Sequence, residues 1–396
     1  MNKLISSVLS LILVLSLVLT ACSSNAPAPA PSSTPAPGSS TPITVKLGVI
    51  MPMTGDIAAY GIGTANAVKM AVGELNALSG TTGITYEVIV EDDENKPEKT
   101  IDAFNKLTSK DNVHVIVGAL ASKCSLAISP LAQQMGIPMI TTSSTNENVT
   151  LAGDFVFGAC FIDPFQGTVV AKFAAESLSK KTAAIVFDNG NDYSKGLATQ
   201  FEKSFADFGG TVVAKEAYSI NDKDFSAILA KIKEQKPDVI FIPDYYSQVA
   251  LIAKQVRDQG MTEVIMLGAD GWDEIVNNAG PEAAGSFYSN HYAPESDDAD
   301  VKDFVAKYQA AYGGETPNAL AALGYDAAKI VAKAVEAAGS TEPAALRDAM
   351  AKVEGKFVTG NIKFNENRNP VKSAVMIAVE QSDGGLVARY YETVNP

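Results

Sequence analysis

The chain has 396 residues, 45 of them Asp or Glu against 31 Lys or Arg, which gives a formal net charge of −14. The mean field of such a protein repels phosphate backbones and anionic lipid headgroups, so nucleic acid and an acidic membrane surface are excluded as natural partners. Beyond the N-terminal leader about 350 residues remain, too many for one compact core and suited to two domains of ordinary size.

The first 42 residues read as targeting. Lys3 precedes an apolar run from Val8 to Leu19 that is short for a membrane span, and Leu19-Thr20-Ala21-Cys22 places small residues before a cysteine as a bacterial lipobox does. Residues 1–21 are expected to be a signal peptide and Cys22 the lipidated first residue of the mature chain, with an uncleaved anchor as the alternative. Residues 22–42 are mostly Pro, Ala, Ser and Thr, with almost no large apolar side chain. They cannot bury a core, and at about 3 Å per residue they form a leash of roughly 60 Å. A lipid on Cys22 would hold everything that follows outside the cytoplasm, against the bacterial cell membrane.

From Ile43 the pattern alternates. Extended runs at Thr44–Ile50, Tyr86–Glu91, Val113–Val117 and Pro138–Thr142 are separated by helical periodicity at Tyr60–Leu78, Pro97–Lys110 and Ser125–Met135. The alternation predicts a parallel sheet with helices on both faces. It then repeats, with strands at Thr182–Phe187, Thr211–Tyr218, Asp238–Pro243 and Glu263–Gly268 and helices at Ser194–Phe208, Asp224–Gln235 and Gln248–Gln259. Helical patterns return at Asp300–Tyr312, Ala319–Ala338 and Pro343–Lys352, followed by strands at Lys356–Lys363 and Ser373–Glu380. A single linker between halves would not need that return. Short extended stretches at Ile162–Pro164, His291–Pro294 and Asn369–Val371 are therefore read as three crossings between two doubly wound α/β lobes. One lobe is 43–163 plus 292–369, the other 164–291 plus 370–396.

Enzyme chemistry is sparse. There are two histidines: His114 falls within a strand, where a structural role is expected, and His291 at a crossing, where a hinge hydrogen bond is expected. No G-x-S-x-G elbow, phosphate-binding P-loop or H-E-x-x-H occurs. Asp188-Asn189-Gly190-Asn191-Asp192 resembles part of a calcium loop but lacks the acid at the twelfth position, so no metal is assigned. Asp297, Asp298 and Asp300 read as a helix start. Cys124 and Cys160, the two cysteines after Cys22, are either a disulfide, which an oxidising compartment permits, or two buried thiols.

In open parallel sheets ligands bind beyond the carboxyl ends of the strands, so the residues there are the informative ones. In the first half these are Ala121-Ser122-Lys123 and Ser143-Ser144-Thr145, hydroxyls at helix starts suited to a small anion such as a carboxylate. In the second half they are Tyr193, Asp244-Tyr245 and Asp270-Gly271-Trp272, an acid and aromatics suited to an ammonium. Together they complement a zwitterionic amino acid. Asp244 competes with Asp270 for the ammonium, and Trp272, the only tryptophan, is expected to sense the ligand.

With those residues in place the chain resembles the branched-chain amino-acid binding proteins of ABC transporters, which have the type I periplasmic binding fold. The markers are Lys46-Leu47-Gly48-Val49 before Met53-Thr54-Gly55 and Tyr60-Gly61, then Val117-Gly118, Gly136-Ile137-Pro138, Asp163 with Gln166-Gly167, Asp188 with Tyr193, Lys223-Asp224-Phe225, and Gly324-Tyr325-Asp326-Ala327. The resemblance implies that Ser122, Ser143 and Thr145 hold the ligand carboxylate, that Asp270 takes the ammonium where relatives carry glutamate, and that Tyr193 and Tyr245 close over it. Tyr60, Leu120 and Ala121 would line the side-chain pocket. It also implies a monomer without cofactor, delivering its ligand to a membrane permease. An amide or urea receptor and a sensing subunit for a signalling receptor are the alternative roles.

Overall fold

A computed structural model describes residues 42–395. The leader, Cys22 and all of the tether but its last residue lie outside the described residues. Strands β1 (Ile43–Met51), β2 (Ile84–Asp92), β3 (Val115–Val117), β4 (Met139–Thr141) and β5 (Val156–Gly158) form a wholly parallel sheet in the order β2-β1-β3-β4-β5. β3, β4 and β5 are buried throughout, as sheets covered on both faces require.

The second sheet repeats that winding. β6 (Thr182–Asp188), β7 (Thr211–Tyr218), β8 (Val239–Phe241), β9 (Ile265–Gly268) and β10 (Ser286–Asn290) run parallel in the order β7-β6-β8-β9-β10. Counted from its own first strand this is again 2-1-3-4-5, so both lobes have a topological switch point beside their first strand. A small hairpin of β11 (Glu354–Phe357) and β12 (Gly360–Lys363) stands apart, and the hairpin β13 (Ala374–Ser382) and β14 (Gly385–Val394) extends the second sheet antiparallel to β10. The stretch predicted as one strand over 356–363 is thus a hairpin. β12 opens on Gly360 at φ +112°, a conformation that needs glycine.

The late helices return to the first lobe, as the chain order required. Helix Ala319–Ala338 buries most of its length and packs against helix Ala58–Ala77. Contact is close because Gly324 has no side chain; a Cβ there would lie 2.6 Å from Thr64 Cγ2. Asn318 starts the helix, its Oδ1 accepting from the Ala321 N–H at 2.8 Å, and Gly339 in the left-handed region ends it. Asp298 caps helix Ala299–Ala311 in the same way, accepting from the Asp300 N–H at 2.9 Å.

Cys124 and Cys160 are separate, buried thiols. Burial raises the Cys124 thiol to about 12, so it is an inert packing residue. His114 lies just before β3 rather than in it, and its Nδ1 accepts from the Lys46 N–H at 3.0 Å. In the Asp188 loop the Oδ1 accepts from the Gly190 N–H at 2.8 Å, which makes it a turn.

Candidate functional site

Each lobe offers the loops that follow its strands. After β3 the chain turns at Leu120-Ala121 into helix Ser122–Met135; after β4 come Ser143 and Thr145. Across the seam, the loop after β6 leads into helix Asp192–Asp207, started by Asn191, whose Oδ1 accepts from the Tyr193 N–H at 3.2 Å. Tyr245 precedes helix Tyr246–Asp258, and Asp270 follows β9. Tyr60, Leu120, Ala121, Ser122, Ser143, Tyr193, Tyr245 and Asp270 all line one cavity, together with Gly271 and Leu320. Eight of the ten residues singled out from sequence are therefore brought together.

The cavity walls nearly meet, leaving about 10 Å3, room for about one water. The lobes are held shut by contacts between them. The Tyr60 hydroxyl donates to Gly271 O at 2.7 Å, and its ring stands edge-on to Tyr246 at 4.9 Å. Asn146 Nδ2 donates to Asp192 O at 3.4 Å. Tyr193 and Tyr245 stack at 5.3 Å with nearly parallel rings and form one aromatic wall.

Asp270 is the charged centre. Its Oδ1 accepts from the Tyr193 hydroxyl at 2.7 Å and from Gln166 Nε2 at 3.0 Å, and its Oδ2 lies 3.1 Å from His291 Nε2. Burial pushes the His291 imidazole down to about 4, so the ring is neutral at physiological pH and Nε2–H is the donor. The ring stacks on Phe161 at 3.8 Å, and its Nδ1 has no partner. His291 is thus a hinge hydrogen bond, and three neutral donors hold a carboxylate that retains capacity for a cation.

Ser122 Oγ accepts from the Asn146 N–H at 3.3 Å, and Ser143 Oγ donates to Leu120 O at 3.1 Å, so the two hydroxyls also tie the first-lobe loops together. Thr145 is buried behind the wall, not in it; its carbonyl accepts from the Asp163 N–H at 2.7 Å and its hydroxyl has no partner. Burial raises the Asp163 carboxyl, which lies beside the Thr145 hydroxyl, well above the usual carboxylate range.

Trp272 does not face the cavity. It is fully buried in the second lobe, with Nε1 donating to Ile242 O at 2.8 Å. Asp244, the competing acid, is also enclosed: Tyr218 donates its hydroxyl to Oδ2, and the Tyr245 N–H donates to Oδ1 at 2.7 Å. It supports Tyr245 from beneath.

Burial pushes the Asp244 carboxyl up to about 7, against about 3.9 for an unfolded chain. Between those values the folded protein keeps a proton that the unfolded chain has released. Stability from this group therefore falls as pH rises through the window, at up to about 1.4 kcal/mol per unit, and is flat above it. The ionisable groups facing it are Asp188, Tyr218 and Tyr245. Asp244→Asn should remove this slope, so that denaturant melts at about pH 4.5 to 6.5 diverge from the parent's; parallel profiles would contradict the assignment.

Sequence reasoning assigned no site role to Gly271, Leu320, Gln166 or Asp163. Gly271 acts through its backbone and close approach, a Cβ lying 2.7 Å from Asp244 O. Leu320 enters on a helix some 200 residues away in the chain from Ser122, with no local signal.

Residues 44–385 match the family described as periplasmic binding protein. A leucine-, isoleucine-, valine-, threonine- and alanine-binding protein of Pseudomonas aeruginosa is 29% identical over 330 residues, 82% of this chain and 86% of that one. The crystal structure of a leucine binding protein from Thermotoga maritima superposes with a TM-score of 0.83 at 35% identity, covering 89% of this chain and 99% of that one. A branched-chain amino acid transporter substrate binding protein from Streptococcus pneumoniae, solved in complex with isoleucine, gives a TM-score of 0.82 at 31% identity over 89% and 100% of the two chains.

Proposed function

The chain belongs to the Leu/Ile/Val-binding family of ABC transporter substrate-binding proteins, with the type I periplasmic binding fold, and from that premise we propose that it binds an apolar, zwitterionic amino acid between its lobes and delivers it to a membrane permease. One observation carries this reading: a single cavity joins hydroxyls at a helix start in one lobe to an acid and two tyrosines in the other. Ser122 and Ser143 take the α-carboxylate. Asp270 takes the α-ammonium. Tyr193 and Tyr245 cover the ligand, and Tyr60, Leu120, Ala121 and Leu320 receive its side chain.

The lobes are 43–163 with 292–369 and 164–291 with 370–396. A ligand enters only when they separate, because the closed walls leave no room for it, and it is then held by both as they shut. Charge-assisted hydrogen bonds contribute about 1.5–3 kcal/mol each, and burying a leucine-sized side chain about 1.5–3 kcal/mol. Binding at about −8 kcal/mol, roughly micromolar, is within reach after ordering costs. A lipid on Cys22 would keep the protein beside the permease and raise its effective concentration there.

The test is mass spectrometry of small molecules released by denaturing the purified protein. Intact valine, leucine, isoleucine or a similar apolar amino acid is the expected cargo. Recovery of only amides, ureas or carboxylic acids without an amine would reject the reading.

A further inference from the structure

A second cavity is larger than the cleft. It holds about 780 Å3, within the roughly 300–1,000 Å3 of small-molecule sites, and shares no lining residue with the cleft. Its walls come from the segment after β10 (His291 to Asp298), the hairpin β11–β12, residues Val371 to Ser373 before β13, and Val375 and Tyr390 of the second sheet. His291 stands between the two cavities, meeting Asp270 on one side and lining the second cavity on the other.

Lys372 is the only Lys or Arg among the described residues that is buried, at 5% exposure, and it lines this cavity. Its ammonium donates to Thr359 Oγ1 at 2.7 Å and to Ala159 O at 3.3 Å. An ammonium carries three N–H donors, so one is left over. Among the described residues no carboxylate lies within ion-pair distance; Asp326 is reached only through the Thr359 hydroxyl, which donates to its Oδ2 at 2.7 Å. The other charges on the wall have partners. Lys356 pairs with Asp298 and Asp300, Asp297 with Lys302, and Glu295 accepts from the Tyr390 N–H at 2.6 Å. Burial of this under-partnered cation lowers its ammonium to about 8.

We propose that this cavity is a second binding site, for a small organic carboxylate whose anion pairs with Lys372 and whose apolar body lies against Val358, Val371 and Val375. Because both lobes supply its walls, such a ligand fits the closed arrangement and favours it over the open one. By linkage it therefore strengthens binding in the cleft.

The probe is butyrate, titrated by ligand-observed NMR into the full chain, with butylammonium as the control. Butyrate should bind and butylammonium should not. Lys372→Met should weaken butyrate at least tenfold. Val371→Asp, at a position 58% exposed, puts a carboxylate at the mouth and should also weaken it; this variant carries the test if Lys372→Met does not fold. Failure of butyrate to bind, or binding by both wall variants equal to the parent's, would overturn the site. No amino acid enters these arms, so they fail separately from the cleft reading. Leucine affinity measured at saturating butyrate should rise in the parent and stay constant in Lys372→Met; no rise in the parent overturns the coupling.

Discussion

Asp270→Asn should weaken leucine binding by about 3–5 kcal/mol, two to three and a half orders of magnitude, because it leaves a buried ammonium without its counter-charge. The parent carboxylate already accepts from Tyr193, Gln166 and His291. An amide in its place turns one of those contacts donor against donor, so part of the loss comes from the empty protein as well as from the ligand. Calorimetry separates the two when read beside thermal melts: the affinity loss should far exceed any loss of stability. Affinity within threefold of the parent would remove Asp270 from the ammonium site.

The second large effect is on the fold and reaches the site through one residue. A Cβ at Gly61 would lie 2.0 Å from Pro52 O, a backbone atom that cannot rotate away. Gly→Ala inside a helix ordinarily stabilises by about 0.5–1 kcal/mol. Here overpacking reverses the sign, and Gly61→Ala should destabilise by at least the 1–3 kcal/mol or so that forced core insertions cost. Gly73 provides the control within the same helix, since a Cβ there meets nothing within 4 Å. Gly73→Ala should therefore be neutral or stabilising. Relief of the clash moves the first turn of helix Ala58–Ala77, which carries Tyr60 and its bond to Gly271. Gly61→Ala should lose affinity as well as melting temperature, whereas equal melting of the two variants would show that the loop at Pro52 yields.

Much of the fold was legible because its signals are local. Helix Ala319–Ala338 and strand β7 coincide with their periodic runs, bounded by Asn318 and Gly339 in the first case. β5, β10 and β14 escaped the reading for different reasons. β5 is three residues long, too short to show a period; β10 reads Ser-Phe-Tyr-Ser-Asn, with polar residues buried on both faces; and β14 is an edge strand whose outer half alternates only weakly. Helix Asp163–Lys172 was hidden by Gly167 and by the β-branched residues Thr168, Val169 and Val170.

The shared cavity followed from one rule, that the loops after parallel strands gather on one side of the sheet. The rule failed for Trp272, whose side chain faces back into the second-lobe core with Nε1 donating to Ile242 O. It could not find Leu320, which approaches from another element, nor Gln166, which reaches Asp270 from helix Asp163–Lys172. The cysteines were undecidable from sequence because compartment permits a disulfide without requiring one, and side-chain separation decides.

Titration calorimetry with leucine, 4-methylpentanoate and isopentylamine, run on the Lys372→Met chain so that the second carboxylate cavity does not contribute, tests the two-walled cleft most directly, since the analogues delete the ammonium and the carboxylate in turn. Leucine should bind at micromolar strength or tighter and each analogue at least a hundredfold more weakly. If 4-methylpentanoate or isopentylamine matched leucine, only one wall would be recognising the ligand, and the pairing of Ser122 and Ser143 against Asp270 would be wrong.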